Sequence, residues 1–140
     1  MKKLALVSLV VLLSGCASIN TIIDAYRMAK FDSNEYSLVN QIHTQAQVGV
    51  SKCGTKEVLA YVDTVYVKSI ELRNYSASIP HNNETVTMTT ELAAITKGLK
   101  DRYDSGDEVS KKYCELKFNN IENSSGTMKT VIGAKPRLAV

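Results

Sequence analysis

Between residues 38 and 121 the apolar side chains recur every three or four positions. That spacing restricts this chain more than any other feature, because it suits the 3.6-residue turn of an α-helix and not the two-residue pleat of a strand. Leu38, Ile42, Ala46, Gly49 and Cys53 make one stripe, and Met88, Leu92, Ile95, Leu99 and Tyr103 make another. Between them, Leu59, Val62, Tyr66, Ile70 and Arg73 keep the same steps, although Val62, Thr64, Val65, Tyr66 and Val67 individually favour strands. Helix is the better reading there, since a strand would turn Asp63 and Val65 to one face. A fourth segment sets Val109, Tyr113, Leu116 and Asn120 on one side, with Cys114, Phe118 and Ile121 beside them.

The punctuation agrees with this period. Asp32-Ser33-Asn34-Glu35 has the form of a capping box, with Asp32 accepting from first-turn amides and Glu35 reaching back. Gly54 stands where a C-cap glycine belongs, and Thr55 is placed to cap the next helix with Glu57 in its first turn. Pro80 and His81-Asn82-Asn83 close that segment. Asn82 or Asn83 caps the third helix, whose Glu84 suits the positive end of the dipole. Asp104-Ser105-Gly106-Asp107 then breaks the chain. Residues 123–140 lose the period and contain Gly126, Gly133 and Pro136, so they read as a flexible tail, with a short strand at most over 128–132. Upstream, Ile19, Ile22, Ile23 and Tyr26 recur at helical spacing, which predicts one helix running to Cys53 with a joint near Phe31, or two helices. Four amphipathic segments with short connections predict an all-α fold, a small antiparallel helical bundle.

The first fifteen residues follow a different logic. Lys2 and Lys3 precede the ten-residue apolar run Leu4 to Leu13, which ends in small residues, the layout of a secretory signal peptide. At about 1.5 Å per residue such a run covers roughly 15 Å, half of what a spanning helix needs. Its end is more specific still. Leu13-Ser14-Gly15-Cys16 resembles the lipobox of bacterial lipoproteins. The resemblance implies that the mature chain begins at Cys16, that the Cys16 thiol carries a diacylglycerol, and that its amine carries a third acyl chain. With about 0.8 kcal/mol for each buried CH₂, two or more chains anchor a protein stably. Ala17, where an Asp favours retention at the inner membrane, implies the outer membrane with the domain facing the periplasm.

Export frames the other two cysteines. In an oxidising compartment an even pair, Cys53 and Cys114, is expected to form a disulfide. A metal site would instead place its ligands in close local pairs, whereas His43, Cys53, His81 and Cys114 are scattered. Loss of Lys2 and Lys3 leaves 15 basic against 14 acidic side chains, so the mature domain is near neutral. With no Trp and no basic run longer than Lys111-Lys112, a nucleic-acid footprint is not visible. The expected organisation is therefore a signal peptide over 1–15, one lipid-anchored helical domain over 16–122, and the tail over 123–140.

Chemistry is harder to place on this frame. Asp104, Asp107 and Glu108 cluster around Gly106, but they lack the alternating carboxylates of an EF-hand loop, and a helix end followed by an acidic cap accounts for them. His43 lies at the edge of the first stripe without an evident nucleophile or orienting carboxylate. No Gly-x-Ser-x-Gly turn or phosphate-binding glycine loop occurs. The sequons at Asn74, Asn83 and Asn123 are read as chance behind a bacterial lipidation signal. Tyr26, Tyr66, Tyr103 and Tyr113 fall on or beside stripes, while Tyr36, Tyr61 and Tyr75 have no evident core role and hint at a protein interface. The expectation is a non-enzymatic binding or structural module without cofactor or metal. Its partners would be the membrane, through its lipid, and an envelope protein. A phage-encoded receptor-blocking lipoprotein or an envelope hydrolase are the alternatives.

Overall fold

The computed structural model describes residues 28–138, and these described residues form four helices. They are α1 (Ser33–Lys52), α2 (Val58–Ser78), α3 (Asn83–Asp104) and α4 (Lys111–Gly133). Each helix packs against two neighbours: α1 on α2 and α4, and α3 on α2 and α4. Successive helices run antiparallel, giving an up-down-up-down bundle in which α1 and α4 pack most intimately and α3 and α4 least. The all-α antiparallel bundle read from the periodicity is the observed architecture. The predicted segment around Tyr26 lies outside the described residues, and residues 28–32 are not helical.

The first helix follows the sequence closely. Asp32 is its N-cap, and its carboxylate accepts from the Asn34 and Glu35 amides at 2.9 Å each. Leu38, Ile42, Ala46, Gly49 and Cys53 all face the core. Gly54, at φ +85, takes the left-handed position just past the helix, where a side chain would be strained. Thr55 does not cap α2: its hydroxyl donates back to the Lys52 carbonyl at 2.8 Å, and Glu57 holds the N-cap position without a side-chain bond.

The other three helices bury faces that hydropathy alone assigns imperfectly. In α2 the buried line is Val58, Val62, Val65, Ser69, Leu72 and Ser76, about one position from the expected stripe, and Leu59 is exposed. In α3, Thr85, Thr89 and Thr96 join Leu92, Ala93 and Leu99 inside, while Met88, Ile95 and Tyr103 stay at the edge. The physical reason is shared. The Ser69, Thr89, Thr96 and Ser125 hydroxyls donate to carbonyls of their own helix, three or four residues back, at 2.6 to 3.0 Å. A hydroxyl satisfied in this way can be buried at little cost.

The fourth helix corrects the reading of the C-terminal region. Residues 123–140 are not a loose tail throughout, because α4 continues without a break to Gly133. Its core line of Cys114, Phe118, Ile121, Ser125, Met128 and Ile132 keeps steps of four and three across Asn123-Ser124-Ser125-Gly126. Burial of Met128 and Ile132 outweighs the weak helix propensity of that stretch. Leu116 and Asn120, expected on the inner face, are exposed. Cys53 and Cys114 are bonded, with Cα atoms 5.7 Å apart, and the bridge joins the end of α1 to the first turn of α4. No helix among the described residues is long and apolar enough to cross a membrane.

Candidate functional site

Opposite the disulfide, where the described chain joins the bundle, four segments meet. They are the non-helical residues 28–32, the start of α1, the α2–α3 turn and the segment after α4. Phe31 donates its amide to the Pro136 carbonyl at 2.8 Å, and Ala29 donates to the His81 carbonyl at 3.2 Å. His81 adopts a left-handed backbone conformation, φ 59, as the chain turns from α2 to α3. The Arg137 guanidinium stacks 4.0 Å above the Phe31 ring.

Inside this junction lies a charged pair with no exposed carboxylate. Glu35 is fully buried, and the Lys135 ammonium reaches its Oε2 at 2.6 Å. Glu35 Oε1 accepts from the Ser76 hydroxyl and from Asn82 Nδ2, both at 2.7 Å. Asn82 completes the set: its Oδ1 accepts from Lys135 at 2.6 Å and its Nδ2 also donates to the Ser76 carbonyl at 3.0 Å. Such a pair is tolerated out of water only when its remaining lone pairs and protons are matched, as they are here. The arrangement explains two departures from the sequence reading. Glu35 does not reach back to its own helix start, and Asn82, although the N-cap of α3, makes no capping bond because its Oδ1, the acceptor a cap would use, is committed to Lys135.

Just outside, a polar second line repeats the motif. The Tyr75 hydroxyl lies 3.1 Å from both oxygens of Asp32 and donates to that carboxylate, while Asn34 donates to the Tyr75 oxygen at 3.3 Å. Tyr36, Tyr61 and Tyr75 thus have a place at the core edge, which the sequence did not reveal. A cleft of about 530 Å³ opens beside the junction, between Met28, His81, Glu84, Val131 and Lys135. Chemically the cluster is a clasp. Its carboxylate is filled by three donors, and it ties the start of the bundle to its end across 100 residues.

The other candidates are dispersed. His43 Nδ1 lies 3.0 Å from the Glu122 carbonyl, an acceptor only, so Nδ1 carries the proton and also meets Ser125 Oγ at 3.3 Å. The Ser125 hydroxyl donates away from the imidazole, to the Ile121 carbonyl at 2.6 Å. In the acidic group around Gly106, Asp104 and Asp107 are paired with nearby cations. Arg102 binds Asp107 at 2.9 Å and the Glu108 carbonyl at 3.2 Å, and Lys100, held above its usual range by hydrogen bonds to Asp104 and Asp63, covers Asp104. Nearby, Lys52 donates to Glu57 at 2.5 Å, a contact that raises the lysine and lowers the carboxylate. Among the described residues no cluster of His, Cys, Asp and Glu could hold a metal ion. Cys16 lies outside the described residues. No family model, curated protein or solved structure matches the chain.

Proposed function

We propose that this protein is a lipid-anchored, non-enzymatic binding or structural module, held at the periplasmic face of the outer membrane through Cys16. The observation that carries the reading is how the three cysteines divide. Cys53 and Cys114 are bonded to each other inside the bundle, a pairing that belongs to an oxidising compartment. The remaining cysteine is Cys16, and it ends Leu13-Ser14-Gly15-Cys16 behind a positively charged apolar leader. Export and lipidation together account for all three. The bundle adds a rigid frame, closed by the disulfide at one end and by the Glu35–Lys135 clasp at the other, on which a partner can be held close to the membrane.

The test is intact-mass analysis of the protein extracted from membranes, beside a Cys16→Ser variant. The expected product begins at Cys16 and carries the diacylglycerol and an amide-linked acyl chain, while the variant loses both and leaves the membrane fraction. Affinity capture from the same membranes should recover an envelope protein above the Cys16→Ser control. An unmodified chain that still begins at Met1 would overturn the anchoring. Capture of nothing above the control would overturn the binding role.

A further inference from the structure

We propose that the clasp is the reactant of an intramolecular cross-link, in which the Lys135 amine attacks the side-chain amide of Asn82, with Glu35 carrying protons, and forms an isopeptide bond with loss of ammonia. The inference concerns the folded bundle alone and does not depend on Cys16.

Three observations carry it. The first is the set of groups. A primary amine, a carboxamide and a carboxylate are the nucleophile, the electrophile and the base that such a bond needs, and all three are buried, with Glu35 at 0%, Asn82 at 3% and Lys135 at 8% exposure. Each touches the other two. Lys135 Nζ lies 2.6 Å from Glu35 Oε2 and 2.6 Å from Asn82 Oδ1, and Asn82 Nδ2 lies 2.7 Å from Glu35 Oε1. One oxygen of the carboxylate therefore faces the attacking nitrogen and the other faces the nitrogen that leaves.

The second is distance. Because a carbonyl bond is about 1.23 Å long, a nitrogen 2.6 Å from Oδ1 lies within about 3.8 Å of Cγ, the atom it attacks. A near-attack contact is about 3–3.5 Å, and the effective concentration of such held pairs can reach about 10⁵ M. The groups are also fixed from outside the trio. Asn82 Nδ2 donates to the Ser76 carbonyl at 3.0 Å, and the Ser76 hydroxyl donates to Glu35 Oε1 at 2.7 Å.

The third is the surroundings. Transfer of a proton from Lys135 to Glu35 leaves two neutral groups, so burial favours the step that frees the nucleophile. The cleft of about 530 Å³ is lined by both Asn82 and Lys135, which gives ammonia a way out to water.

The steps balance without oxidant or reductant. Glu35 takes one proton from the ammonium, and the freed lone pair of Nζ bonds to Cγ as the carbonyl π pair moves onto Oδ1. Glu35 then passes its proton to Nδ2 and takes a second from Nζ. The Oδ1 pair restores the carbonyl as the Cγ–Nδ2 bond breaks, and ammonia leaves with the second proton as ammonium, so the carboxylate is regenerated. The ion pair is the form before reaction, and the product accumulates with time after folding. It joins residues 53 apart in sequence, at the end of the bundle opposite the disulfide, with a bond that thiols do not reduce.

The experiment follows the full protein purified from membranes, sampled over days at neutral pH, then reduced, denatured and digested with trypsin for mass spectrometry. Asn82 falls in the fragment 74–97 and Lys135 in 130–137. The expected result is a growing species in which these two fragments are joined, lighter than their sum by one ammonia, with fragmentation placing the bond between positions 82 and 135. Glu35→Gln, with helix content checked by circular dichroism, is expected to slow its formation on the order of a hundred-fold or more, and Lys135→Arg to abolish it. Recovery of the two fragments only as separate, unmodified peptides overturns the proposal, as does conversion of Asn82 to Asp without joining, which would make water the nucleophile. Joining at the parent rate in Glu35→Gln overturns the role of Glu35. The parent protein decides whether the bond forms even where a variant does not fold.

Discussion

At the scale of single residues, Glu35 and Lys135 show how position in a fold changes what a side chain is for. As a helix-start residue Glu35 has an ordinary role facing water, but in the bundle it is fully buried and its charge is balanced by a lysine 100 residues away. Removing one partner strands the other. Lys135→Met is expected to lower the unfolding free energy by about 3–5 kcal/mol, because a buried carboxylate is left unpaired. The double variant Glu35→Leu, Lys135→Met should recover most of that loss, since an apolar pair of similar size leaves no charge to desolvate. Urea denaturation of the parent and the two variants measures this. A single variant as stable as the parent would mean that the pair adds nothing to the fold.

At the scale of helices, the closest packing is between α1 and α4, and Gly49 permits it. A Cβ at Gly49 would overlap the ring of Phe118, which is fully buried. Gly98, in the middle of α3, has nothing within 4 Å of the same position. The two glycines should therefore respond with opposite signs to one substitution. Gly49→Ala is expected to destabilise by about 1–3 kcal/mol through overpacking. Gly98→Ala should stabilise by about 0.5–1 kcal/mol through backbone entropy alone. Thermal unfolding followed by circular dichroism separates them, and a stabilising Gly49→Ala would show that the two helices can move apart freely.

For the whole molecule, the disulfide and the clasp sit at opposite ends and hold the same two helices, α1 directly and α4 through its first turn or the segment that follows it. The covalent end closes a loop with a sequence separation of 61. In the chain-entropy picture that constraint is worth about 4 kcal/mol, a large share of the roughly 5–15 kcal/mol expected of a small domain. Replacing both cysteines by alanine should lower the denaturation midpoint accordingly and steepen the denaturant dependence, because the unfolded chain can expand further. An unchanged midpoint would show that the packed helices hold the bundle without the bridge.

Much of this architecture was legible before any coordinates, and the reason is local. Helix period, the Asp32 cap, the Gly54 stop and the α1 stripe depend on neighbours within a turn or two, and the pairing of Cys53 with Cys114 follows once only two cysteines remain beyond Cys16. The helical state of Val62 to Val67 was also decided correctly by spacing over propensity. What stayed hidden was anything that depends on the opposite wall. Serines and threonines disappear into the core of α2, α3 and α4 because their own carbonyls accept their protons, which no hydropathy scale registers. The continuation of α4 past Glu122 hinges on Met128 and Ile132 finding the other helices. The clasp hinges on residues 35, 76, 82 and 135 converging at one end. Sequence alone determined that this chain would coil into helices and staple them. Only tertiary structure decided which face of each helix turned inward and which charges could be taken out of water, since both are set by contacts between residues far apart along the chain.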